Sequence, residues 1–267
     1  MLHGSGPGTT GSGAWTTTAQ ALGTSWHLVA PDQAGFGRTP IPAGSRVGLR
    51  LWTEQAASLM DALGHEQYAV VGHSMGGAVA LALAAARPRQ VTRVVAVSTM
   101  GAPGAPLSAE LDAIWAAPAG PLGARDMLGR LVLDQALVTD AAVDARAAAM
   151  RAGAATFALL FPPPRARWVD ELTLSAQTLA AVRAPVLLVH GADDRVTPLG
   201  TAALPLLGHL ADVRLHVLGR CGHVPATEHP YEFRQLLSCF LRRHLNFSGI
   251  PVVNGTFDHA KPQGSGP

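Results

Sequence analysis

Short apolar runs alternate along the chain with longer segments of helical pattern. Residues 26–31, 68–72, 93–98, 185–190 and 213–218 are rich in β-branched residues and nearly continuous, as expected of strands covered on both faces. Helix-like segments lie between them at about 48–63, 74–86, 199–210 and 229–244. This alternation predicts an α/β chain, with a mostly parallel sheet, helices on both faces and right-handed crossovers. Residues 102–178 break the rhythm. They hold no convincing strand and several helical pieces, one of them at 139–151, and they sit between two strands of the sheet. That is where a helical cap over an active site belongs. The expected division is a core of 1–101 and 179–245, a cap of 102–178 and a Gly- and Pro-rich tail of 246–267.

Composition narrows the function classes. At 267 residues, 48% hydrophobic and 14% charged, the chain can bury one large core. The net charge is +2 and the basic residues are scattered, so no nucleic-acid footprint is expected. The apolar runs are too short and too often interrupted to span a bilayer, and the start lacks the pattern of a signal peptide. Two cysteines, Cys221 and Cys239, do not make a disulfide scaffold, so a reduced, cytoplasmic setting is expected. No His, Cys and carboxylate set has metal-ligand spacing, and no cofactor is expected.

The chemistry gathers at strand ends. Gly72-His73-Ser74-Met75-Gly76 follows the strand at 68–72 and precedes the helix at 74–86. This is the G-x-S-x-G turn that lifts a serine hydroxyl off a strand end, beside a helix N-terminus that favours developing negative charge. A serine needs a base, and the base needs an orienting acid. Two adjacent acids, Asp193 and Asp194, follow the strand at 185–190. Of the eleven histidines, only His223 follows the last strand, on a turn preceded by Gly222. The loop His3-Gly4-Ser5-Gly6-Pro7-Gly8 is of the kind that donates backbone N–H groups to an oxyanion. Its expected donors are Ser5 and Met75, and His3 reads as structural.

At these residues the chain resembles the meta-cleavage-product hydrolases of the α/β-hydrolase superfamily. LHGSGPG (2–8), APDQAGFGRT (30–39), GHSMGGAVALALA (72–84), LFPPPRARWVD (160–170), GADDRVTPL (191–199) and RLHVLGRCGH (214–223) carry the resemblance. The family pattern selects Asp194, four residues before Pro198, as the acid. The resemblance implies a cap inserted after the sixth strand, with the first strands missing here or permuted to the tail. There Asn254-Gly255 reads as a turn between two short strands. It further implies hydrolysis of a carbon–carbon bond in 2-hydroxy-6-oxo-dienoates, ring-opened catechols such as 2-hydroxymuconate semialdehyde, by Ser74, Asp194 and His223. The substrate carboxylate would meet Arg146. Gly4, Gly6, His73 and Val224 would line the substrate, while Arg165, Arg167 and Trp168 would be cap structure.

Two positions depart from the family pattern: His73 stands where asparagine is usual and Val224 where tryptophan is usual. They leave a carboxylesterase or lactonase on the same scaffold as a rival reading, and a non-catalytic small-molecule binding protein as a third. The expected partners are a small carboxylate substrate and, for an assembly, further copies of the same chain.

Overall fold

The computed structural model describes residues 1–242; the tail expected at 246–267, with its two short strands, lies outside them. One sheet holds four parallel strands in sequential order: β1 (Tyr68–His73), β2 (Val91–Val97), β3 (Val186–Gly191) and β4 (Val213–Leu218). Successive side chains of a strand go to opposite faces. Val70, Val94, Ala96, Val186 and Leu188 enter one core, and Val71, Val95, Val97, Leu187 and Val189 the other. Both faces are therefore apolar, and this is why the strands read as unbroken hydrophobic runs.

The second of these cores is closed by α1 (Gly11–Leu22), whose N-cap Thr10 accepts from Gly13 N. The first is closed by α2 (Leu49–Ala62) and α3 (Met75–Ala86). Every residue of α3 from Met75 to Ala84 is buried, so this helix carries no polar stripe.

Between β2 and β3 the chain makes only helices: α4 (Ala109–Ala116), α5 (Pro121–Leu131), α6 (Asp140–Leu160), α7 (Ala166–Leu172) and α8 (Ala176–Ala180). Hydroxyl caps at Ser108, Thr139 and Ser175 start α4, α6 and α8. α6 runs well beyond the expected 139–151 and stops just before Pro162, where a following proline disfavours helical backbone. The remaining helices are α9 (Leu199–Ala202), α10 (Pro225–Glu228) and α11 (Pro230–Leu241), and α11 packs beside α1. Among the described residues, no helix is long and apolar enough to cross a membrane.

Two expectations are corrected. Residues 26–31 form no strand. Among the described residues only Leu2 bridges the outer edge of β1, at Gly72, and that single bridge does not reach far enough to order them as a strand. The helical insertion follows β2, and β2 is the second strand only because the sheet of the described residues lacks the first strands of the fold. The helix expected at 199–210 is one short α-helical turn followed by a 3-10 turn over Leu204–Gly208, because Pro205 cannot donate to a continuing helix.

Candidate active site

β1 runs directly into the turn that holds Ser74. The serine backbone has φ 55° and ψ −118°, a region that costs a non-glycine residue about 1–3 kcal/mol. Hydrogen bonds hold it there: Ser74 N donates to Val97 O at 2.9 Å, while Gly77 N and Met100 N donate to Ser74 O at 2.9 and 3.1 Å. The flanking glycines are obligatory. A Cβ on Gly72 would stand 2.0 Å from the Gly76 carbonyl oxygen, and one on Gly76 would stand 2.4 Å from that of Leu2.

The loops after β3 and β4 bring Asp194 and His223 together. Nδ1 of His223 donates to Asp194 Oδ2 at 2.9 Å, which fixes the proton on Nδ1 and leaves Nε2 as the basic nitrogen. Asp194 is held on every side. Its Oδ1 accepts from Val196 N and Thr197 N at 2.9 and 3.0 Å. Its Oδ2 also accepts from the Thr197 hydroxyl at 2.9 Å, with His190 Nε2 at 3.3 Å. Burial alone would raise its pKa; the facing His223, with the hydrogen bonds from His190 and His223, outweighs burial and holds the carboxyl well below the usual range. Asp193 is exposed, and only its backbone N–H reaches the site loops, at Cys221 O. Of the two adjacent acids, the structure turns Asp194 toward His223.

Ser74 and His223 line one cavity of about 130 Å³. Gly4, Ser5 and Gly6 line it too, and a Cβ on Gly4 would lie 3.2 Å from the Cβ of Ser74. Among the described residues, neither Ser5 N nor Met75 N donates a hydrogen bond, although both residues are buried. Two unspent N–H donors beside a serine are what an oxyanion hole requires. His3 is structural, as expected: its Nδ1 donates to Gly4 O at 2.8 Å and its Nε2 accepts from Gln33 N at 3.0 Å. Burial lowers its pKa to about 4, so the ring is neutral and the loop keeps both bonds. The Ser5 hydroxyl in turn accepts from Trp115 Nε1 at 2.9 Å.

The opposite wall carries Arg146, from α6. Its Nη1 donates to Thr9 Oγ1 at 2.9 Å and meets Pro7 O at 3.4 Å; among the described residues no carboxylate pairs with it, and burial lowers its pKa. His73 also faces the cavity. Its Nε2 donates to the backbone oxygen of His223 at 2.8 Å, and the two rings lie 4.7 Å apart. Burial first, and the charge of His223 second, push its pKa down to about 3. Its Nδ1 is thus a bare lone pair beside Gly4. Leu111, Ile114, Leu131, Val196 and Val224 make the remaining wall apolar.

The α/β-hydrolase-fold family matches residues 1–230. The chain is 37% identical to 2-hydroxymuconate semialdehyde hydrolase of Pseudomonas sp. strain CF600, over 90% of this chain and 85% of that one. It is 38% identical to 2-hydroxy-6-oxo-2,4-heptadienoate hydrolase of Pseudomonas putida F1, over 90% and 87%. Among solved structures it superposes on the meta-cleavage product hydrolase of Pseudomonas fluorescens IP01 with a TM-score of 0.85 and 32% identity, covering 90% of this chain and 88% of that one. The chain belongs to the meta-cleavage-product hydrolase family of α/β-hydrolases.

In this meta-cleavage-product hydrolase the site includes residues that motif reading passes over. Thr197 lies within the acid motif, and its hydroxyl could have been suspected from position alone. Trp115 sits in an apolar helical run and reads as core; its polar bond to Ser5 spans 110 positions. His190, inside β3, reads as one more buried strand residue. Arg165, Arg167 and Trp168 are cap structure, as expected. Arg165 meets Asp112, Arg167 stacks over Trp168 at 4.5 Å, and the Trp168 indole donates to Pro162 O at 2.9 Å. Among the described residues, no group of His, Cys and acidic side chains is placed to hold a metal ion.

Proposed function

We propose that this hydrolase cleaves a carbon–carbon bond of 2-hydroxy-6-oxo-dienoates by way of an acyl-enzyme on Ser74. Arg146 carries the reading. A half-buried guanidinium with no carboxylate partner among the described residues leaves a charge for a ligand to pair with, and its planar fork suits a carboxylate. It lines the same cavity as Ser74 and His223, so the carboxylate end of a substrate and its reacting carbonyl fit one site. In the same cavity, the lone pair on His73 Nδ1 is an acceptor for the substrate 2-hydroxyl.

The remaining steps are proposed on the same residues. The dienol ketonises, with His223 moving the proton. Ser74 Oγ attacks the C6 carbonyl and gives its proton to His223 Nε2. The oxyanion forms against Ser5 N–H and Met75 N–H. Collapse breaks the C5–C6 bond and expels C5 as the carbanion end of an enolate, which takes the proton from His223. Water, deprotonated by His223, then releases the acyl group as a carboxylic acid. Asp194 keeps His223 oriented and stabilises the imidazolium in both halves.

The relatives named above act on dienoates whose C6 bears hydrogen or methyl. A cavity of about 130 Å³ with aliphatic walls suits the same small groups. The test is spectrophotometric decay of yellow dienoates with hydrogen, methyl or phenyl at C6. Turnover of the first two is expected, with phenyl the poorest. Hydrolysis of p-nitrophenyl esters with no dienoate turnover would instead make the chain a carboxylesterase.

A further inference from the structure

The loop that carries His223 is gripped by the cap. At the end of α5, Leu131 O accepts from His223 N at 2.8 Å. Glu228, at the end of α10, completes the grip. Its Oε1 accepts from Gly222 N at 2.8 Å, and its Oε2 accepts from Leu133 N at 2.6 Å and Asp134 N at 3.3 Å. One carboxylate oxygen thus faces the residue before the histidine, and the other faces the cap segment after α5.

The packing leaves no slack. A Cβ on Gly222 would lie 2.9 Å from Leu131 O, 3.0 Å from Leu133 N and 3.1 Å from Glu228 Oε1. From the other side, a Cβ on Gly191, the last residue of β3, would stand 2.0 Å from Gly222 O. The 222–223 peptide is therefore clamped between the strand that leads to Asp194 and the cap.

We propose that Glu228 is a positioning residue for His223, acting through the cap segment 131–134. The proposal rests on the reading of His223 as the base. His223 must meet Asp194 with one nitrogen and Ser74 with the other, and both directions are set by where its backbone sits. A carboxylate suits the position because the groups around it are donors: the N–H groups of Gly222, Leu133 and Asp134, and the Cys221 thiol, 3.8 Å from Oε1. Glutamine would turn an NH₂ toward one of them, and aspartate is one methylene too short to reach both sides.

The experiment uses the full chain with p-nitrophenyl acetate and a yellow dienoate. Glu228→Ala, Glu228→Gln and Glu228→Asp are compared with wild type and with Ser74→Ala. Active sites are counted by labelling to completion with a serine-directed fluorophosphonate, so that kcat is expressed per competent site. Misplacing a catalytic group by about 1 Å costs on the order of 100-fold. Glu228→Ala and Glu228→Asp should therefore lose about 100-fold in kcat per site on both substrates with KM little changed, and Glu228→Gln should recover part of the loss. A residue that served only folding would reduce the number of sites and the melting temperature while each remaining site worked at the wild-type rate; that outcome overturns the proposal. If Glu228→Ala does not fold, the isosteric Glu228→Gln decides alone: unchanged kcat per site sinks the idea. Full activity in Ser74→Ala would defeat the underlying catalytic reading instead, so the two failures are distinguishable.

Discussion

The indole N–H of Trp115 donates to the hydroxyl of Ser5 at 2.9 Å, tying the C-terminal end of α4 to the loop with the unspent N–H groups. The Trp115 ring is stacked on Phe161, 4.5 Å away and 2° from parallel. At the other end of α4, the Ser108 hydroxyl donates to Val196 O at 2.7 Å, within the acid loop. One helix, α4, thus braces the loop after β3 and the loop of Gly4, Ser5 and Gly6 together. Trp115→Phe keeps an aromatic ring against Phe161 and removes the donor. Losing an oxyanion donor outright costs about 100- to 1000-fold in kcat. A loosened donor should cost less, about 10-fold, and equally on esters and dienoates, as steady-state kinetics with both substrates will show.

Arg146 should behave differently. Arg146→Ala removes the proposed charge-assisted contact to the substrate carboxylate, and such a contact is worth about 1.5–3 kcal/mol. Dienoate kcat/KM should fall by about 10- to 150-fold while hydrolysis of p-nitrophenyl acetate is nearly unchanged. Equal losses on the two substrates would make the guanidinium a structural group.

Ser74 joins activity to strain. Ser74→Ala should remove several orders of magnitude of rate, as loss of a nucleophile in a Ser–His unit does. Ser74→Gly should be as inactive and yet more stable by about 1 kcal/mol, because glycine accepts the φ of 55° without penalty. Urea midpoints of wild type and the two variants test this; a glycine variant less stable than the alanine one contradicts it.

His3 predicts an acid limit to stability. Its folded pKa, about 4, lies below the ordinary 6.5, so between those values the unfolded chain binds a proton that the native chain refuses. The stabilisation is complete above pH 6.5 and is lost as the pH falls toward 4. At about 1.4 kcal/mol per unit, His3 alone accounts for a loss on the order of 3 kcal/mol. In His3→Gln, whose amide offers both a donor and an acceptor, the fall in urea midpoint between pH 7 and 4 should be shallower than in wild type.

Ser74, Asp194 and His223 are legible because their chemistry is local: each sits on a short motif just past an apolar run. The choice of Asp194 over Asp193 needed a spacing rule, and its physical basis, the ring of donors from Val196, Thr197 and His223, exists only in three dimensions. Trp115 was not legible, since its polar partner lies 110 positions away, and for Glu228 the partners that tie it to the segment after α5, Leu133 and Asp134, lie 95 and 94 positions away, although Gly222 is close by. Residues 26–31 misled for a related reason. An apolar run states that a segment is buried, whereas a strand also needs a neighbour with a free edge, and among the described residues only Leu2 bridges the β1 edge there.

β2 and β3 are neighbours in the ladder, yet the whole helical insertion lies between them. Their pairing closes a loop roughly four times the length of an ordinary crossover. Because closure entropy grows only with the logarithm of length, at about 0.6 kcal/mol per doubling, the excursion weakens the sheet by only about 1.2 kcal/mol. Its larger effect is on time. Contacts distant along the chain form slowly, so the central seam of the sheet should be the last to zip. Until it does, the apolar edges of β2 and β3 are open to the wrong partner. Crowded or hot refolding should therefore lose this protein to aggregation at that seam before its native state is thermodynamically threatened.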